Sequence, residues 1–114
     1  MAYDEKLAER VRDAVVGEAG LTERRMFGGV AFMLDGHMFC GIVKGELMLR
    51  LGPAGADAAL ERPHVRPMDF TGRPLKGMVF VAPAGLRGAA VRRWVDQAAA
   101  FVRTLPPKEI RSQQ

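Results

Sequence analysis

The stretch from Arg24 to Leu51, RRMFGGVAFMLDGHMFCGIVKGELMLRL, constrains this chain more than any other, because two turn dipeptides, Asp35-Gly36 and Lys44-Gly45, divide it into three short apolar runs. Two-residue hairpin loops need positive φ, which glycine accepts without steric cost, so both dipeptides predict tight links between antiparallel strands. Centring the turns on them pairs Leu34 with His37, Phe32 with Phe39, Val43 with Glu46 and Phe39 with Arg50. The expected register gives one uncharged face of Phe27, Ala31, Met33, Met38, Cys40, Ile42, Leu47, Leu49 and Leu51, suited to packing against helices. The other face takes Val30, Phe32, Leu34, His37, Phe39, Val43, Glu46, Met48 and Arg50. Its centre is apolar too, so it also needs a cover.

The flanking segments supply helices. Leu7, Val11, Ala14 and Val15 recur at helical spacing within Asp4 to Glu18, with charged residues on the remaining arc. Gly52-Pro53-Ala54-Gly55 opens a short helix to about Leu60, and proline suits a helix start because its missing N–H would be unpaired there anyway. Arg62 to Pro67 is expected to be an extended, exposed loop, since each residue before a proline is pushed out of the α region. Met68 to Phe70 and Met78 to Val81 read as two further strands, and Gly88 to Leu105 as a helix burying Val91, Trp94, Val95, Ala98, Phe101 and Val102. The class is α+β, as one two-layer domain over residues 1–105 with a disordered polar tail at 106–114.

Composition narrows the function. A chain of 114 residues, 48% hydrophobic, can fill one core without a disulfide or metal staple. The lone Cys40 has no internal partner, no leader opens the chain, and charges interrupt every apolar run before bilayer length, so a soluble cytoplasmic protein is expected. The net charge of +4 is uneven: residues 1–57 hold 7 Lys+Arg against 9 Asp+Glu, and residues 58–114 hold 10 against 4. That basic second half is the argument for nucleic acid as an alternative partner. His37 and His64 lack metal-ligand neighbours, Gly28-Gly29 lacks the Lys-Ser/Thr ending of a phosphate loop, and Cys40 falls on an apolar face. No metal, cofactor or catalytic constellation is expected.

Arg24-Arg25-Met26-Phe27-Gly28-Gly29, followed by Phe32, Asp35-Gly36, Met38-Phe39, Gly45, Leu47 and Arg50, resembles the TfoX N-terminal domain family. Phe70 to Met78 and the tryptophan-containing last helix extend the resemblance over roughly residues 5–105. It implies an α-β-β-β-α-β-β-α domain with an antiparallel meander against helices, similar to the secretion-chaperone fold, found in bacterial regulators of competence genes and in stand-alone proteins. Full-length regulators of that kind carry a second domain, for which 114 residues leave no room. The resemblance brings no catalytic residues, only the motif: Met26, Phe27, Gly28, Gly29, Asp35 and Gly36, with Arg25, Phe32, Phe39 and Arg50.

The resulting expectation is a non-catalytic regulatory or protein-interaction domain, ahead of a nucleic-acid binder and of an enzyme of unknown chemistry. Arg25, Arg50, Arg73 and Lys76 are the expected binding charges. Arg50 stands out because it interrupts the apolar run LMLRL, where a cation must reach water or an anion. Val30, Phe32, Phe39, Val43 and Met48 form the expected interface of a homodimer or of a complex with a regulatory partner.

Overall fold

A computed structural model describes residues 3–26, 28–70 and 73–106. Helix α1 (Glu5–Val15) is followed by strands β1 (Leu21–Met26), β2 (Gly29–Leu34), β3 (His37–Val43) and β4 (Glu46–Arg50), helix α2 (Gly52–Ala59), strands β5 (Val65–Phe70) and β6 (Arg73–Val81), and helix α3 (Ala90–Val102). The α+β class and the alternation of helices and strands are as expected, and the opening run of the meander resolves into two strands, β1 and β2. Phe27 and the tail from residue 107 onward lie outside the described residues.

The strands form one six-stranded antiparallel sheet in the order β1-β2-β3-β4-β6-β5. Its two edges explain what local sequence obscured. β1 reads LTERRM, too charged for an apolar-run argument, yet charges are what keeps an exposed edge strand from pairing with another chain. β5 begins at Val65, inside the expected loop, and carries Pro67 at the opposite edge, where a missing N–H is tolerated.

Asp4 starts α1 by accepting from the N–H groups of Lys6 at 3.0 Å and Leu7 at 3.1 Å. Leu7, Ala8, Val11 and Val15 then face the sheet from α1, Ala56 and Ala59 from α2, and Val91, Trp94, Val95, Ala98 and Val102 from α3. All three helices contribute to this one core, so they share a face of the sheet.

The turn at Asp35-Gly36 has positive φ at both central residues, 52° and 86°, as a type I′ hairpin requires. At Lys44-Gly45 the positive φ, 57°, falls on the lysine instead of the glycine. There the Lys44 carbonyl accepts from the Asp4 N–H at 2.8 Å, which ties the start of the chain to the turn.

The expected register fails in one place. Leu34 pairs with His37 and Val43 with Glu46 as read, but a bulge between Phe32 and Met33 pairs Phe32 with Cys40 and Met33 with Met38. Phe39 is the extra residue, and past it the faces of β2 are exchanged relative to β3. One helix-side row is Val30–Ile42–Leu47–Val81–Val65 and the next contains Phe32, Cys40, Leu49 and Val79. Val30, Phe32, Leu34 and Phe39 therefore lie in the helix-covered core, whereas Ala31, Met33 and Met38 face the other way.

The motif glycines serve the β1–β2 corner. Gly28 turns with φ 75°, and a Cβ at Gly29 would stand 1.9 Å from the carbonyl oxygen of Ile42. Backbone cannot yield as a side chain can, so Gly29→Ala is expected to destabilise the fold by about 3 kcal/mol, at the upper end for overpacking. Urea denaturation checks this.

Candidate functional site

Among the described residues, no helix residue belongs to the second apolar cluster, in which Met48, Met68 and Phe80 are buried, at no more than 4% exposure, and Met38, Val43 and Met78 are half-buried around them. It lies on the sheet face opposite the helices. The central row of this face runs Arg24–Ala31–Gly41–Met48–Phe80–Arg66 across all six strands. An arginine on each edge strand thus brackets a row whose middle is small and apolar. Ala31 and Gly41 form its low floor, and the Met48 methyl lies close over Gly41, 2.7 Å from where a Cβ would sit.

Methionine dominates this face: Met33, Met38, Met48, Met68 and Met78 all belong to it. An unbranched thioether adapts its shape to different contacts more readily than a branched aliphatic chain does. Arg66 reaches back over the patch, with its guanidinium 4.6 Å from the centroid of Phe80 and bonded to Glu46 at 3.2 and 2.5 Å. The Arg66 side chain is 53% exposed, so this pair positions the guanidinium more than it stabilises the fold.

Of the expected interface residues, Val43 is half-buried on this face, and Met48, on the same face, is only 1% exposed. Val30, Phe32 and Phe39 are no more than 4% exposed and contact the helices, because the bulge reverses their side of the sheet. Arg50 is half-buried on the open face, opposite Met78, and has no ion pair or hydrogen bond among the described residues. Arg25 sits on the helix side of β1, 5.9 Å from the Tyr3 ring centroid, in a shallow recess of about 250 Å³. Arg12 lines the same recess and bonds Glu23 at 2.9 Å, a contact that holds its guanidinium protonated more firmly. Lys76 is exposed on β6, and the Arg73 side chain lies outside the described residues. Arg25 and Arg50 thus lie on opposite faces of the sheet and do not share a site.

Cys40 is 1% exposed in the helix-side core, and burial pushes its thiol pKa far up. The charged thiolate is the form that attacks electrophiles, so this cysteine is held in its unreactive state.

An antiparallel sheet with helices on one face and methionines on the other defines a two-layer α+β domain. The model of the TfoX N-terminal domain family matches residues 13–102, and the chain belongs to that family. No curated protein and no solved structure matches it. Among the described residues, no helix is long and apolar enough to cross a membrane.

Cys40 also sets a pH dependence. Its folded pKa is raised, so the unfolded thiol ionises first, from about pH 8.5, while the folded thiol stays neutral. The unfolded state then binds fewer protons and stability falls as pH rises, by about 1.4 kcal/mol per unit from this group. Urea denaturation between about pH 8 and 10 is expected to show that extra slope in the wild type and not in Cys40→Ala.

Proposed function

We propose that the chain is a non-catalytic protein-interaction domain with a regulatory role, working through the methionine-lined face of its sheet. The observation that carries this reading is the rim of that face: half-buried Met33, Met38, Val43 and Met78 surround the buried Met48, Met68 and Phe80 on a side of the sheet to which no described helix contributes. Arg24 and Arg50 stand at this face without a carboxylate partner among the described residues, so an apolar segment bearing carboxylates complements it best.

Self-pairing is the second reading. Glu46 shares the face with Arg24, Arg50 and Arg66, so a two-fold arrangement of identical faces has both signs of charge available as well as apolar area.

Nucleic acid is less well supported, because two arginines of the basic second half are engaged by carboxylates of the first. Arg66 pairs with Glu46, and Arg103 with Glu18 at 2.5 Å and Asp35 at 3.9 Å.

Met38→Glu separates these readings, since Met38 is half-buried on the open face and away from the helix-side core. Proteins captured from the native cell extract by the wild type are expected to be lost or at least about tenfold weaker with Met38→Glu, as a charge placed in an apolar contact requires. In sedimentation equilibrium the second reading expects a wild-type dimer and a Met38→Glu monomer. A monomeric wild type ends self-pairing, and captured partners indifferent to the substitution end the proposed face.

A further inference from the structure

On the helical side of the molecule, far from any use made of it above, the connection from α2 to β5 and the first turns of α3 enclose a recess of about 270 Å³. Its lining is cationic. Arg62, His64 and Arg93 stand there with Trp94 and Gln97, and no Asp or Glu lines it.

Neither Arg62 nor Arg93 makes a salt bridge or a side-chain hydrogen bond among the described residues, whereas Arg12, Arg66 and Arg103 each have carboxylate partners. The Arg62 guanidinium lies against the Trp94 ring, whose centroid is 5.1 Å from the guanidinium carbon. That contact holds the charge in place and leaves its donors unspent.

His64 is held in an uncommon conformation at the same place. Its φ is +70°, in the left-handed region that non-glycine residues seldom enter. Its carbonyl accepts from the Ala82 N–H at 2.8 Å, and Gly85 lies so close that a Cβ there would come within 3.0 Å of the His64 Cβ. The surrounding backbone thus fixes a strained histidine into a cationic wall. Ala90, the first residue of α3, also lines the recess, with its N–H donated to the Arg87 carbonyl at 3.1 Å.

We propose that this recess binds a phosphate group, either free phosphate or the phosphate of a small phosphomonoester. Two guanidinium forks offer the paired donors that match phosphate oxygens, and the Gln97 amide and the His64 ring stand beside them. No carboxylate lines the recess to compete with an anion for these donors. The volume suits a small molecule, near the lower end of ligand pockets at about 300 Å³, whereas a nucleic-acid strand needs an extended basic track with exposed rings.

Trp94 is the chain's one tryptophan and lies in the recess, so its fluorescence reports occupancy. Inorganic phosphate and AMP are titrated separately at fixed ionic strength, set with chloride, and calorimetry is run in parallel. The expected result is saturable binding at about 1 mM or tighter, weakened at least about tenfold in Arg93→Gln. Arg93 is exposed, so an unchanged melting temperature of that variant shows that the fold is intact. Saturation by both probes assigns the grip to the phosphate itself, and saturation by AMP alone assigns the site to a phosphomonoester. The proposal is overturned if neither probe saturates by either readout, if Arg93→Gln binds as the wild type does, or if a single-stranded oligonucleotide binds and AMP fails to compete with it.

Discussion

One extra residue in a β-ladder organises this molecule. With Phe39 bulged between β2 and β3, Phe39 and Cys40 both reach the helix-side core, and Phe32 pairs with Cys40. That places the two large rings, Phe32 and Phe39, in full burial beneath the helices, while smaller or more pliant side chains, Ala31, Met33 and Met38, take the opposite side. An unbulged ladder would invert this choice: β2 would expose two large branched or aromatic side chains and bury methionines. Removing a buried phenylalanine from water contributes on the order of 2–3 kcal/mol, so the bulged pairing has a strong thermodynamic reason to form.

The two halves of the chain are joined electrostatically as well as by the sheet. Their opposite charge balance resolves into contacts between acidic residues of the first half and arginines of the second, Glu46 with Arg66 and Glu18 with Arg103. Arg10 adds a link of another kind, donating to the carbonyls of Leu86 at 2.6 Å and Gly88 at 3.1 Å, so that α1 anchors the turn leading into α3. Each exposed pair contributes little to stability. Their consequence is distribution: they neutralise part of the basic half and leave Arg62 and Arg93 as a local concentration of unbalanced charge beside Trp94.

The molecule therefore separates two kinds of surface. Its helix-free sheet face has a buried apolar centre and a half-buried rim of Met33, Met38, Val43 and Met78, and that adaptable rim suits another polypeptide. The recess at α3 is small, cationic and rigidly framed by His64 and Gly85, and suits a compact anion. The buried thiol belongs to neither, since burial holds it neutral and inside the helix-side core.

Local sequence determined much of the architecture. The helical stripes of α1 and α3, the hairpin at Asp35-Gly36, the α+β class and the burial of Trp94 all follow from side-chain periodicity or backbone sterics within a few residues. What tertiary structure decided were properties that depend on partners distant in the chain. β1 is a strand because β2 offers it a ladder, despite its charged sequence. The bulge at Phe39 leaves no local mark, because either register satisfies both turns, and only the demand to bury Phe32 and Phe39 against helices selects between them. Arg62 and His64 meet Arg93 and Trp94 across about thirty residues of chain, a convergence that no spacing rule reports, since side-chain proximity across a fold is set by how its layers pack.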